Sequence, residues 1–169
     1  MTRDDSPNVD TAARAAWEQT LADAEDLVER RNKAGWDVLF TQAGETTLEV
    51  DTDGGRPVFS HLVPDDDADV IAEWVTEGSF PQYDVHRAQE AGTVFLVVEL
   101  LDPDQERCLL LAAAYPLADV AGIHESAAQD TTLTTRLRRL DTTTVASFKH
   151  DESEKFLPTD AGGRTGRRG

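Results

Sequence analysis

The chain has 169 residues, with 33 acidic and 16 basic side chains and a formal net charge of −17. This length fits one domain with a sizeable core, and the negative charge disfavours binding to nucleic acid or to anionic membranes. The chain has no apolar run that could cross a bilayer, no signal-peptide pattern and one cysteine, Cys108, so we expect a cytoplasmic protein without membrane contact or internal disulfides.

The first predicted element is a long amphipathic helix from Asp10 to Ala34. Apolar residues recur there at steps of three and four, which is the period of one helix face. Asp10 can cap the start, and Gly35 can supply a left-handed stop. Residues 1–9 are polar and are expected to be flexible.

Three strands and a short helix are predicted next. Turn residues at Ala43-Gly44 and at Asp53-Gly54-Gly55 predict hairpins between the strands. The helix carries a short apolar stripe and ends near Gly78. The three strands are predicted near 36–42, 46–51 and 57–63.

Four aspartates stand at the start of this short helix. Asp65, Asp67 and Asp69 match the opening alternation of a calcium-binding loop, but Val70 and Thr76 stand where that loop needs glycine and glutamate. Carboxylates at a helix start accept bonds from free backbone N–H groups and oppose the helix dipole. The run therefore predicts helix-end stabilisation and no metal site.

The second half predicts three more strands, a helix and a hairpin. Turns are expected at Ala91-Gly92 and Asp102-Pro103-Asp104, and strands 93–101 and 107–115 are apolar on both faces, which is typical of a central, covered pair. A third helix is predicted from Leu117 to Ala128, followed by a hairpin that turns at Asp141. The other strand lies near 83–89, and residues 159–169 form a predicted flexible basic tail.

Together these elements predict a single α+β domain over residues 10–158, with a mainly antiparallel sheet and the order α-βββ-α-βββ-α-ββ. The segments "WDVLFTQAGETTLEV" and "YDVHRAQEAGTVFLVVEL" share an aromatic residue, Asp-Val and Ala-Gly. Two interpretations of this likeness stay open. One is an internal α-β-β-β repeat, and the other is two independent hairpins that both use Ala-Gly.

Asp84 and His86 are the candidate catalytic residues. They lie two residues apart on a predicted strand, so they share one face of it. Near Glu99 or Asp37 they could form an acid–base or metal-binding group, and the alternative is a histidine on a solvated sheet face. Because the chain has no metal-ligand spacing, nucleophile elbow or nucleotide-binding loop, we expect no cofactor and no metal.

Phe80 and Tyr83 lie beside a predicted loop, where aromatic residues often anchor a protein interface. The alternative is that both rings pack in the core. The first functional hypothesis is a non-enzymatic adaptor, regulatory or binding domain that contacts another protein or a second copy of itself. The alternative is a small enzyme or ligand-binding protein with a site around Asp84 and His86.

The acidity has a particular composition, since Asp outnumbers Glu and Arg far outnumbers Lys. This combination is typical of proteins that stay soluble in concentrated salt, where charge repulsion is screened within about 3 Å at 1 M. The segments "GWDVL", "YDVHRA…FLVVELLDPD" and "TRLRRLD…SFKHDESEKFLP" resemble a family of small haloarchaeal proteins of unknown function, over about residues 10–158. That resemblance implies a haloarchaeal cytoplasm and an α+β domain, and it supplies no activity, cofactor or catalytic residue.

Overall fold

The computed structural model describes residues 7–50, 56–121 and 132–158. Helix α1 spans Pro7–Lys33, helix α2 spans Asp65–Glu77, and a 3-10 helix spans Ser153–Lys155 near the end. The strands are β1 Asp37–Gln42, β2 Glu45–Val50, β3 Pro57–Leu62, β4 Gln82–Glu90, β5 Thr93–Asp102, β6 Arg107–Pro116, β7 Leu133–Arg138 and β8 Thr144–His150. Within these ranges, no helix has the length and apolar character that a membrane span requires.

The α+β fold class and the order α-βββ-α-βββ-α-ββ are confirmed. Of the third helix predicted from Leu117 to Ala128, residues 117–118 form a turn, residues 119–121 are helical, and residues 122–128 lie outside the described residues. Helix α1 begins at Pro7, three residues before the predicted start at Asp10. The predicted basic tail, residues 159–169, also lies outside the described residues.

The eight strands form two four-stranded sheets. The first sheet has the order β1-β6-β5-β4 and the second has the order β2-β3-β7-β8. Each sheet contains one parallel pair, β1 with β6 and β3 with β7, while the other neighbours are antiparallel. Strands β5 and β6 are the central pair of the first sheet, as their two-sided apolar sequences predict.

The predicted hairpin at Ala43-Gly44 is wrong, because the chain passes there from one sheet to the other. Ala43 donates its N–H to Ala112 of the first sheet (2.9 Å), and Gly44 donates to Leu62 of the second (2.8 Å). A turn dipeptide sets the local bend and does not choose the strand that pairs beyond it. The two similar segments thus share element order, but β1 and β2 do not pair as β4 and β5 do.

The predicted turn at Ala91-Gly92 does form a hairpin between β4 and β5. Both residues have positive φ, 54° and 81°, as expected for a two-residue turn that matches the strand twist. Gly35 has φ 93° and ends α1 as predicted. The last hairpin turns at Asp141, and the next residue, Thr142, adopts φ 72°, a conformation that glycine adopts more readily.

Two apolar clusters divide the core into layers. The inner cluster joins both sheets to α2 and includes Phe59 of β3, Ile71 of α2 and Leu96 of β5. The second cluster joins α1 to the opposite face of the first sheet through side chains such as Leu27 and Leu110. Leu96 and Leu110 are fully buried, as predicted. Helix α1 therefore covers the outer face of the first sheet, and the candidate site lies under that helix.

Candidate functional site

The pairing of β4 with β5 brings the two candidate residues to a buried carboxylate. Asp84 is directly opposite Glu99, and His86 is opposite Val97 on the same face. Asp84, His86 and Glu99 each offer one atom that could bind a metal ion, and these three atoms lie within 4.8 Å of one another. Of the two partners considered from sequence, Glu99 joins the group. Asp37 lies on β1, at the opposite edge of the first sheet from β4, and is in register with Arg107.

Glu99 is the unusual member of this group because only 2% of its surface is exposed. Its layer is otherwise apolar, with Val97, Leu101, Cys108 and Leu110 in the cluster beneath α1. Burial of an ionised carboxylate costs several kcal/mol unless it is paired. A leucine at this position would pack without that cost.

Two side chains meet the Glu99 carboxylate. Arg31, in the last turn of α1, donates its Nε–H to Oε2 at 3.2 Å, and the other oxygen lies 3.5 Å from Nε2 of His86. The guanidinium of Arg31 also lies over the Trp36 ring, 5.1 Å from its centroid. Arg31 thus satisfies one side of Glu99 and leaves the other side facing β4.

The two remaining members of the group face solvent. Asp84 is exposed, and the side chain of His86 is 47% exposed. Within the group Arg31 pairs with Glu99, and the Lys155 ammonium interacts electrostatically with Asp84. The arrangement combines a fixed, buried carboxylate oxygen of Glu99 with two accessible side chains, Asp84 and His86, that could bind a cation.

Arg31 was not predicted to be part of the site, although the sequence contains a signal for it. Ala24, Leu27 and Val28 define the buried stripe of α1, and Arg31 follows at the next step of three or four residues. A charged residue at such a position needs a buried partner. The identity of that partner, 68 residues further along the chain, is a tertiary property.

Cys108 lies near the same buried carboxylate, and its thiol is unreactive. Burial raises the pKa of its thiol to about 12, and the negative charge of Glu99 acts in the same direction. The thiol therefore stays protonated at neutral pH and is a poor nucleophile.

A groove of about 260 Å³ lies between α1 and strands β4 and β5, and His86 is part of its wall. Asp23, Asp26 and Arg30 line the helix side, and Arg87 and His86 line the strand side. The wall thus carries both signs of charge above apolar side chains of β5. Arg87 also donates from its guanidinium to the carbonyl of Glu154 at 2.8 Å, so it secures the 3-10 helix as well.

The aspartate run of α2 makes tertiary contacts. Asp67 accepts a hydrogen bond from the Thr41 hydroxyl at 2.7 Å, and Asp69 pairs with Arg139 at 2.8 Å. The run lies in the first turn, where it opposes the dipole as predicted, but the N-cap is Pro64 and makes no side-chain capping bond. The expected side-chain cap is therefore wrong, because proline occupies the capping position.

Phe80 and Tyr83 are half-buried and pack against the inner cluster. Phe80 meets Phe148 edge-on, with ring centroids 5.9 Å apart, and the Tyr83 ring lies 4.4 Å from that of His150. The Tyr83 hydroxyl accepts a hydrogen bond from the Glu152 N–H at 3.1 Å. Their role in contacting a partner stays a prediction.

Comparison with known proteins identifies a family. No curated protein and no solved structure matches the chain. A family model described as a family of unknown function covers residues 4–158, which include both sheets and the Asp84, His86 and Glu99 group. The chain therefore belongs to the family of unknown function DUF7529.

Proposed function

We propose that this chain is a non-enzymatic binding domain of a haloarchaeal cytoplasm, and that it binds a small charged ligand in the groove beneath α1. The cellular setting rests on the charge of −17, on the excess of Asp and Arg over Glu and Lys, and on the resemblance of the sequence to haloarchaeal proteins. The groove lies between α1 and the first sheet, with His86 in its wall.

The buried carboxylate of Glu99, 3.5 Å from His86 of the groove wall, is the observation that carries this proposal. A domain stabilised only by packing gains nothing from a carboxylate in the apolar layer between α1 and β5. Arg31 offsets part of the cost and holds the carboxylate in one orientation. Ionisable groups arranged in this way beside a concave surface are typical of binding and active sites.

The lining of the groove defines the class of ligand. Asp23 and Asp26 contribute negative charge and Arg30 contributes positive charge, while the Arg87 guanidinium is bonded to the Glu154 carbonyl. The volume of about 260 Å³ is slightly below the range of pockets that hold drug-sized molecules. A small polar or charged molecule, or an ion with its water, fits these walls better than an apolar chain does.

The experiment tests whether a substitution that fills the groove abolishes ligand binding. Ala88 is exposed and lines the groove, so Ala88→Trp should block it. Thr76→Trp, at an exposed position of α2, is the matched control. Each protein would be purified in molar salt from haloarchaeal cells and denatured, and the released small molecules would be quantified per chain by mass spectrometry.

We expect a compound released by the wild-type protein and by Thr76→Trp, and its loss in Ala88→Trp. Circular dichroism must show that both variants are folded. Release of nothing above background from the wild-type protein, or equal release from all three proteins, would overturn the proposal.

A small enzyme is the second candidate. His86 is half exposed beside the groove and has its Nε2 atom 3.5 Å from Glu99, which is longer than the hydrogen bond that orients a general base but in the range seen for catalytic groups without substrate. Turnover of a panel of esters and phosphoesters in molar salt, lost in His86→Ala, would support this function. No turnover, or turnover unchanged by the substitution, would exclude it for those substrates.

A further inference from the structure

We propose that Asp84, His86 and Glu99 bind a divalent first-row transition-metal ion, for which Zn²⁺ is the best match. This inference rests on the proposed function and deepens it, because His86 belongs both to the groove wall and to this group. It also departs from the expectation of no metal, which rested on the lack of metal-ligand spacing in the sequence. The three residues come together only through the β4–β5 register.

The separation of the donor atoms fits one ion. Two ligands that each lie about 2.1 Å from a tetrahedral Zn²⁺ are about 3.4 Å apart. His86 Nε2 and Glu99 Oε1 are 3.5 Å apart, which is long for a hydrogen bond between them and suitable for an ion between them. The three-residue group spans up to 4.8 Å. Asp84 is exposed, and its Oδ1 atom accepts a hydrogen bond from the Val85 N–H at 2.9 Å, so its side chain must turn to bring an oxygen within reach of the ion.

The donor types select the ion. One imidazole nitrogen and two carboxylate oxygens form a set that suits Zn²⁺ and its neighbours in the first transition row. The imidazole makes Ca²⁺ and Mg²⁺ poorer matches, since both prefer oxygen ligands. Three protein ligands also leave at least one coordination position for water or for a small ligand in the groove.

The two carboxylates of the site each have a cationic side chain nearby. Arg31 pairs with Glu99 from the helix side, and the Lys155 ammonium interacts electrostatically with Asp84, so a metal ion would bind beside two cations of the chain. Arg31 engages Oε2 and leaves Oε1 toward His86. Arg31 is therefore a positioning residue that orients the Glu99 carboxylate so that its second oxygen can bind the ion. Side chains just outside the ligand shell of known metal sites act in the same way.

The test titrates Zn²⁺ alone into chelator-treated protein in molar potassium chloride, with calorimetry as the readout. Asp84→Asn and Asp104→Asn form a matched pair, because both remove one exposed carboxylate from the first sheet or its turns. His86→Gln removes the nitrogen ligand at a half-exposed position where the fold should tolerate it. Visible absorption of the Co²⁺-loaded protein reports the coordination geometry.

We expect one Zn²⁺ per wild-type chain, with affinity reduced roughly ten-fold or more in Asp84→Asn and His86→Gln and unchanged in Asp104→Asn. The Co²⁺ protein should show the intense visible bands of tetrahedral coordination, which disappear in His86→Gln. Absence of stoichiometric binding, or equal affinity in all four proteins, would overturn the inference. If a small molecule is still released in an Ala88-dependent way but no Zn²⁺ binds, the metal inference fails while the proposed function stands.

Discussion

The stability of this protein should fall as the pH drops from neutral, because two histidines are buried in the neutral form. His150 is 1% exposed, its Nε2 atom lies 2.8 Å from the Thr135 hydroxyl, and its ring contacts those of Tyr83 and Phe156. Its Nδ1 atom has no hydrogen-bond partner among the described residues. Burial lowers the pKa of His150 from 6.5 to about 4.

The direction of this pKa change sets the sign of the effect. The unfolded chain, with a histidine pKa of 6.5, binds more protons than the folded chain, so acid favours unfolding. The contribution is fully present above the unfolded pKa and is lost as the pH falls toward about 4. It amounts to about 3 kcal/mol in all, of which roughly 2 kcal/mol is lost between about pH 7 and about pH 5.

His61 adds a second contribution of the same sign. It is 1% exposed, its Nδ1 atom lies 2.9 Å from the Thr46 hydroxyl, and burial lowers its pKa to about 3. Together the two histidines should remove roughly 4 kcal/mol between about pH 7 and about pH 5. That loss is a large part of the 5–15 kcal/mol typical of a folded domain.

Urea denaturation followed by circular dichroism, in constant molar potassium chloride, measures this effect. The wild-type protein, His150→Gln and His61→Gln would each be unfolded at about pH 7 and about pH 5. Each variant should lose roughly 2 kcal/mol less than the wild-type protein over this interval. Carboxylates titrate in all three proteins, so their contribution cancels in the comparison. Equal pH dependence in the wild-type protein and both variants would refute the reasoning.

Three further predictions concern packing and charge. Leu96→Ala should lower the free energy of unfolding by about 2–5 kcal/mol in the same urea assay. Leu140→Ala, at a position 60% exposed, should change it by less than about 0.5 kcal/mol, and equal losses in the two variants would contradict the assigned core. Gly78→Ala should destabilise the protein because a Cβ atom there would collide with the Asp102 carboxylate. Gly44→Ala, where the nearest atom lies 3.8 Å from such a Cβ, should lower the free energy of unfolding less, and the reverse order would contradict this close packing. The melting temperature should fall from molar to millimolar potassium chloride because of the charge of −17, and an unchanged value would argue against adaptation to salt.

The sequence by itself determined the features that depend on local periodicity. Steps of three and four located α1, and Gly35 marked its end because a left-handed residue stops a helix. Two-sided apolar sequence placed β5 and β6 at the centre of a sheet. The two-residue period of a strand put Asp84 and His86 on one face before any partner was known.

Tertiary structure decided which strands lie side by side and which distant groups meet. The Ala43-Gly44 turn is locally similar to the hairpin turn at Ala91-Gly92, yet the first sends the chain to another sheet. Arg31 and Glu99, 68 residues apart, meet only because α1 crosses the first sheet above β5. Period and propensity specify the face of a side chain, whereas the partner across that face depends on how all the apolar faces are buried together.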